Sequence, residues 1–154
     1  MAGWDELTAV RPGATLRLLG EEFVIERCIC FEQDGCVWHE HRLSSDGSGR
    51  SLWLEVPADP DDPVIVYDSN ATLDAAPEGG PEIEHGGERL PLLTSGRASY
   101  RTIERASAAK TGVLVYHEYA LGDRRVTYEC RGDEALWEVS EGRAIDGAEI
   151  EILG

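Results

Sequence analysis

Two strings in the sequence share one spacing and contain residue types suited to proton transfer or to cation binding. Each reads aromatic-His-Glu-x-x-Leu, first at Trp38–Leu43 and again at Tyr116–Leu121. Imidazole and carboxylate groups exchange protons in many enzymes, and aromatic rings together with carboxylates attract ammonium groups. Neighbouring residues of a strand point to opposite faces, so each histidine and the glutamate after it cannot act on the same atom. The strings therefore favour a structural or a cation-binding role over acid-base catalysis.

The first string belongs to a predicted β-hairpin. Asp34–Gly35 is a strong signal for a two-residue turn. Antiparallel pairing around that turn places Phe31 opposite Trp38 and Ile29 opposite Glu40, all on one face. Continuing along the strand places Arg27 on the same face, within reach of the glutamate.

The second string predicts a similar hairpin. A turn at Thr111–Gly112 would place Arg105 opposite Glu118 and Ser107 opposite Tyr116. Each copy then has an aromatic ring two residues from a carboxylate on one face, with an arginine nearby.

Two interpretations of this arrangement stay open. In the first, the aromatic rings pack in the core and the glutamates form partly buried ion pairs that fix the strand register, and the residues involved are Arg27 with Glu40 and Arg105 with Glu118. In the second, the rings and carboxylates bind a cationic ligand, with Trp38, Glu40, Tyr116 and Glu118 as the binding residues. His39 and His117 rank behind the two glutamates as functional candidates.

Cysteine and histidine residues in the first hairpin resemble a metal-binding set. The predicted register brings Cys28 opposite His41 and Cys30 opposite His39, with Cys36 near the turn. Zinc accepts such ligands, yet a flat hairpin spreads its side chains too widely for tetrahedral closure. The second copy replaces these positions with small or aromatic residues, namely Ala106, Ala108 and Tyr119. We therefore expect no metal and no other cofactor, and predict that the cysteines are reduced and pack as small apolar side chains.

A second match supports an internal duplication. Ile25–Arg27 and Ile103–Arg105 share the letters Ile-Glu-Arg, and each lies thirteen residues before its aromatic residue. The sequence predicts an all-β fold of two pseudo-symmetric antiparallel meander halves that share one core, as a barrel or a sandwich. The halves cover about 12–67 and 88–153, and an acidic Gly/Pro-rich connector covers 68–87. Little helix is expected, with short candidates only at 4–9 and 70–76.

Composition limits the classes of partner. The 154 residues include 14 basic and 30 acidic side chains, for a formal charge of −16. This charge repels nucleic acid and anionic lipid, and suits a basic protein, a polyamine or a cationic peptide. No apolar run approaches the roughly 18 residues that span a bilayer, so we expect no direct membrane insertion and a cytoplasmic location. Nucleophile elbows, phosphate-binding loops and dinucleotide fingerprints are absent from the sequence, and we expect a non-enzymatic protein.

Five ordered motifs resemble a known family. They are Gly20-x-x-Phe23, Trp38-x-Glu40-x-x-Leu43, Trp53-Leu54-x-Val56, Tyr116-x-Glu118-Tyr119 and Trp137-x-Val139. Together they are similar to the bacterial domain-of-unknown-function family numbered 4178, from about Pro12 to Ile152. The resemblance implies an all-β domain, often encoded near phage-shock-protein-A-like membrane-remodelling proteins, small membrane proteins and polyamine-synthesis-like enzymes. It implies no catalytic residues.

Three functional hypotheses follow from charge, motifs and resemblance. The first is an accessory or adaptor domain in an envelope-stress or membrane-remodelling system, which binds a basic protein through its acidic surface. The second is a small-ligand module that binds a polyamine or a cationic peptide between the repeated aromatic and glutamate residues. The third is an acidic immunity-type protein that masks a basic toxin.

Overall fold

The computed structural model describes residues 2–104, 108–131 and 136–154. Its described elements are helix α1 (Trp4–Ala9), a 3-10 turn (Gly147–Glu149) and eleven strands: β1 (Thr15–Leu18), β2 (Glu21–Gln33), β3 (Cys36–Ser44), β4 (Ser51–Val56), β5 (Val64–Leu73), β6 (Glu82–His85), β7 (Glu88–Glu104), β8 (Thr111–Leu121), β9 (Arg124–Arg131), β10 (Trp137–Ile145) and β11 (Ile150–Ile152). The predicted all-β class with little helix is confirmed.

Eight of the described strands close an antiparallel barrel. Their order is β2-β3-β4-β5-β10-β9-β8-β7, and β7 pairs back onto β2 between Arg27–Glu104 and Glu32–Ser99. The remaining strands lie outside this ring, with β1 and β11 beside β2 and β6 beside β7. Of the two architectures left open by the sequence, the structure has the barrel.

The first hairpin forms as predicted. Asp34 and Gly35 have φ angles of 52° and 84°, which suit the two-residue turn that matches strand twist. Strands β2 and β3 pair with Phe31 opposite Trp38 and Ile29 opposite Glu40. This local signal is enough to fix the register of the pair.

The predicted register of the second hairpin is wrong. Glu118 lies opposite Thr94 and Tyr116 opposite Gly96, while Thr111 is the first residue of β8 rather than part of a turn. The predicted partners Arg105 and Ser107 lie outside the described residues. The physical reason is that β7 runs on beyond β8 in order to pair with β2, so the connection between β7 and β8 follows residue 104.

The duplication appears in the topology, although not in the Ile-Glu-Arg match. A short strand, a long strand and three further strands occur in β1–β5 and again in β6–β10. Ile25 pairs with Leu43, and if the Leu92–Tyr119 register is continued, the position facing Leu121 is Leu90. Ile103 instead faces β2 near the barrel closure. The structural counterpart of Ile25 is therefore Leu90.

The outer surface of the barrel is covered on two sides. Helix α1, β1 and β11 enclose the larger apolar cluster, which includes Leu7, Phe23 and Leu54. The β6–β7 hairpin covers a smaller cluster around Leu90 and Tyr119. These clusters lie outside the barrel ring. The buried apolar side chains therefore form separate clusters and not one central core.

The predicted connector contains more regular structure than expected. Strand β5 continues to Leu73, and β6 occupies Glu82–His85. The helix predicted at 70–76 is wrong because Asn70 to Leu73 pair with β10, and Asn70 donates a hydrogen bond to Ser140 (3.1 Å). Pairing with a neighbouring strand overrides the weak local preference there.

Gly142 provides a test of the β5–β10 packing. It lies at a register shift between these strands, and an added Cβ would meet the Val66 carbonyl oxygen at 2.2 Å. We expect Gly142→Ala to lower the free energy of unfolding by about 1–3 kcal/mol, as overpacking does. Denaturant unfolding measures this, with Gly47→Ala as the control because its Cβ would meet only Ser45 Oγ at 3.9 Å. Equal stability of the two variants would contradict the close approach.

Candidate functional site

The barrel interior, called the lumen below, contains a cavity of about 570 Å³. This size falls within the range of small-molecule sites and fits an eight-stranded barrel, which leaves room for one small ligand. Strand alternation directs every second side chain inward. Trp38 and Tyr116 line the cavity on one side, and Ile65 and Tyr67 line it on another.

Four glutamates from four strands line the lumen. They are Glu40 on β3, Glu55 on β4, Glu118 on β8 and Glu129 on β9. Glu40 and Glu55 lie directly opposite each other in the β3–β4 register. Like charges in such positions destabilise a sheet. The arrangement is therefore unfavourable for an empty, fully ionised barrel.

Burial changes the acidity of these groups. It raises the pKa of Glu40 well above 4.5, and the neighbouring carboxylates of Glu129 and Glu55 raise it further. Burial and then Glu118 also raise the pKa of Glu55. For Glu129, burial raises the pKa to about 7 although the Arg131 guanidinium opposes the shift. These carboxyl groups therefore keep their protons to a higher pH than exposed carboxyl groups do.

The luminal carboxylates have few partners. Among the described residues, Glu40, Glu55 and Glu129 form no hydrogen bond or ion pair, although Glu40 is only 8% exposed. Glu118 lies 3.7 Å from Arg125 Nε, which itself makes no hydrogen bond to any described residue. Buried carboxylates without partners are costly, so the site has unused binding capacity for a cation.

Aromatic side chains form one wall of the lumen near its mouth. The Trp38 ring stacks on Phe31 with centroids 5.4 Å apart and meets Tyr116 edge-on at 5.8 Å. Tyr116 donates a hydrogen bond to Gln33 Oε1 (2.5 Å), which fixes its ring. The Trp4 indole donates to the Pro57 carbonyl (2.7 Å), which ties α1 to the loop at the mouth. Ring faces of this kind accept ammonium groups and methylene chains.

A comparison of the sequence with family models identifies the family of the chain. The sequence model of a family described as a domain of unknown function, DUF4178, matches residues 11–147. The chain belongs to the DUF4178 family. The predicted resemblance is thereby confirmed over most of the chain. No curated protein and no solved structure matches the chain significantly.

The ion pairs predicted for this DUF4178 domain differ from those observed. Arg27 pairs with Glu104 (2.6 Å) rather than with Glu40, because Glu104 lies directly opposite it in the β2–β7 register. The predicted partner of Glu118, Arg105, lies outside the described residues, and Arg125 is the arginine nearest to Glu118 among the ion pairs described. The predicted ligand-binding set, in contrast, lines one cavity: Trp38, Glu40, Tyr116 and Glu118.

A tryptophan and three arginines lie at the end of the lumen away from the Asp34 turn. The Arg42 and Arg131 guanidinium groups lie over the Trp53 ring, 6.0 and 5.7 Å from its centroid. Arg27 occupies the same row as Arg42 on the neighbouring strand. The positive charge of the barrel interior is thus concentrated at this end and along β9.

The cysteine and histidine candidates lie on the outer face of the DUF4178 barrel. The predicted cross-strand neighbours, Cys28 with His41 and Cys30 with His39, are confirmed. His41 Nε2 donates to the Leu7 carbonyl (2.8 Å), and burial lowers its pKa to about 4. Within the described part of the chain, no group of three or more such side chains is arranged to hold a metal ion.

Cys28, His39 and His117 also lie away from the glutamates, whereas Cys36 lines the cavity. Burial raises the pKa of Cys28 to about 11, and its thiol points to the Val10 carbonyl (3.7 Å). Burial lowers the pKa of His39, whose ring stacks with that of His41. His117 stacks on Trp137 with centroids 5.6 Å apart, outside the lumen. The two histidines of the repeated string are packing residues of the outer face.

Sequence reasoning missed four of the luminal charged residues. Glu55, Glu129, Arg125 and Arg131 were not selected as site residues. Leu54 and Val56 are both fully buried, so a glutamate between them looks like the exposed face of an ordinary strand. When the barrel closes, that second face lines its interior.

None of the described helices is long and apolar enough to cross a membrane.

Luminal charge should make the stability of the domain fall as the pH rises. A carboxyl group with a raised folded pKa stabilises the fold below its unfolded pKa and loses that contribution as the pH passes its folded pKa. For Glu129 this window runs from 4.5 to about 7. We expect Glu129→Gln to become more stable relative to wild type as the pH rises from about 5 to about 8. Denaturant unfolding at several pH values measures this difference.

The exposed Glu32 on the outer side of β2 provides the control. Glu32→Gln removes the same formal charge outside the lumen, so its stability relative to wild type should change little across that window. A parallel pH dependence of the two variants would show that net charge, and not the luminal cluster, is responsible.

Proposed function

We propose that this DUF4178 barrel is a small-ligand module that binds an organic ammonium ion in its lumen. The observation that carries the proposal is Glu40. Its carboxylate is 8% exposed, lines the cavity and has no hydrogen-bond or ion-pair partner among the described residues. An ammonium ligand supplies the hydrogen bonds and the opposite charge that this group lacks.

The surroundings of Glu40 support the same ligand class. Three further carboxylates raise the negative potential around this buried group, where charge interactions are stronger than at the surface. Trp38 and Tyr116 add ring faces that attract cations. A purely structural interior would be filled with apolar side chains at lower cost. The site therefore has the chemistry of recognition rather than of core packing.

The other hypotheses depend on different features. Adaptor and immunity-type roles, with a basic protein as partner and a cytoplasmic location, are predictions from net charge and family resemblance. They concern the outer surface and make no use of the lumen. The ligand-binding hypothesis is preferred because it accounts for unpaired carboxylates inside the barrel.

Calorimetry with spermidine tests the proposal. We expect saturable binding with one site per chain, and we expect Glu40→Gln to weaken it at least about tenfold, since it removes a charged hydrogen-bond acceptor. Glu32→Gln is the matched control, because this exposed residue carries the same charge on the outer face of β2. Thermal unfolding of each variant verifies that it is folded.

Two outcomes would contradict the proposal. One is the absence of heat beyond dilution for folded wild-type protein at millimolar spermidine. The other is equal weakening by Glu40→Gln and Glu32→Gln, which would indicate diffuse attraction to an acidic surface instead of binding in the lumen.

A further inference from the structure

The lumen has an excess of negative charge that can be counted. Four glutamates line the cavity, and two arginines, Arg125 and Arg131, lower their pKa values. The other two interior arginines are left out of the count, because Arg27 pairs with Glu104, and Arg42 lies over Trp53 and does not line the cavity. Four negative and two positive charges leave two carboxylates without compensation when all are ionised. Asp62 at the mouth raises the pKa of Glu118, and Glu138 raises that of Glu129, so further negative charge lies at both margins. A monovalent ligand would neutralise only part of this charge.

We propose that the ligand is a linear dication, with two ammonium groups joined by methylene units, and that it replaces protons held by the luminal glutamates. This inference rests on the proposed function and specifies its ligand. A diamine or a longer polyamine has this chemistry. Each ammonium group supplies the charge of a proton that leaves a carboxyl group for solvent.

The distribution of the arginines places the excess charge on one side. Glu118 lies 3.7 Å from Arg125. After burial, Arg125 has the largest effect on the pKa of Glu118, and Arg131 has the largest effect on that of Glu129. The same two arginines also lower the pKa values of Glu55 and Glu40, but there the neighbouring carboxylates have the larger effect. Glu40 and Glu55 face each other across β3 and β4 and form no ion pair among the described residues. One ammonium group between them would separate two like charges that are cross-strand neighbours.

The walls of the lumen favour a free amine over a peptide side chain. A peptide brings backbone N–H and C=O groups that need partners wherever water is displaced. The aromatic wall offers the rings of Trp38 and Tyr116, which suit methylene groups but do not satisfy an amide. A diamine has only charged ends and an apolar chain, and the lumen provides for both.

Proton exchange follows from the groups that surround the cluster. The titratable and charged side chains on the neighbouring elements are Arg27 on β2, Cys36, Glu40 and Arg42 on β3, Glu55 on β4, Asp62 in the β4–β5 loop, Tyr67 on β5, Glu104 on β7, Tyr116 and Glu118 on β8, Arg125, Glu129 and Arg131 on β9, and Glu138 on β10. Within this set, burial raises the pKa values of Glu40, Glu55, Glu118 and Glu129, and it raises that of Glu129 to about 7. Their raised pKa values fall when a dication binds, so affinity should increase as the pH rises through about 7.

Calorimetry with matched amines tests the charge of the ligand. At a pH near 7.5 we expect 1,4-diaminobutane to bind at least about tenfold more tightly than 1-aminobutane, which has the same chain with one ammonium group. Equal affinity of the two amines would overturn the dication inference but leave the binding of organic ammonium ions intact. Failure of both amines and of spermidine to bind would overturn the proposed function as well.

Proton exchange is measured in the same experiment. Titrations of 1,4-diaminobutane at a pH near 6.5, in two buffers of different ionisation enthalpy, should give heats that differ by the enthalpy of at least about one released proton. The difference should shrink as the pH is raised to about 8, because the glutamates hold fewer protons there while the diamine keeps both of its charges. Identical heats in both buffers at the lower pH would contradict proton replacement.

Glu55→Gln tests the position of the second charge. It should reduce the preference for diamine over monoamine to about threefold or less, because one of the two uncompensated carboxylates is lost. Glu32→Gln should retain the wild-type preference, as its carboxylate lies on the outer face. An unchanged preference in folded Glu55→Gln would place the second ammonium group elsewhere and overturn this assignment.

Discussion

Closure of the barrel by β2 and β7 is the interaction on which the other features depend. Both strands are long, and each pairs within its own half before the two meet between Arg27–Glu104 and Glu32–Ser99. The remote ends of these strands also pair with β1 and β6, which enclose separate apolar clusters on the outer surface. Closure therefore moves the main hydrophobic burial outside the ring. The interior of the ring contains a smaller apolar cluster around Phe31 and Leu114, and beside it the lumen has room for polar groups, which an ordinary two-layer core excludes.

That division explains how the fold tolerates a lumen that opposes folding. Like charges at Glu40 and Glu55 destabilise the sheet, and protonation only relieves part of this cost. The apolar clusters beneath α1 and the β6–β7 hairpin supply burial that offsets it. Proteins commonly retain such unfavourable groups where binding requires them. The outer cysteines and histidines follow the opposite pattern, since Cys28 and His41 are buried and contact the chain around α1.

The sequence predicts the strand pairing that local turn signals determine. It does not predict pairing between strands that are distant in sequence. Asp34–Gly35 determines a two-residue turn, so the pairing of Phe31 with Trp38 and of Ile29 with Glu40 is predictable. The second hairpin has no such turn, and β7 continues to β2, a contact that no local pattern indicates. For the same reason Glu40 and Glu118 are identifiable as candidates from the repeated string. Glu55 and Glu129 are not, because only closure shows that their strand face is an interior.

The two copies of the duplicated topology together form the barrel. Residue differences between the copies make the distribution of charge in the lumen asymmetric. Glu40 and Glu118 occupy equivalent positions on β3 and β8. Their cross-strand partners differ, since Glu40 faces Glu55 whereas Glu118 faces Thr127. The two arginines that lower the pKa values of the luminal glutamates, Arg125 and Arg131, come from β9 of the second half. On the β8–β9 wall Glu118 therefore lies beside Arg125, whereas on the opposite wall Glu40 and Glu55 form no ion pair among the described residues. A symmetric repeat would have given both walls the same ion pairs, so the proposed cation site at β3 and β4 depends on this asymmetry.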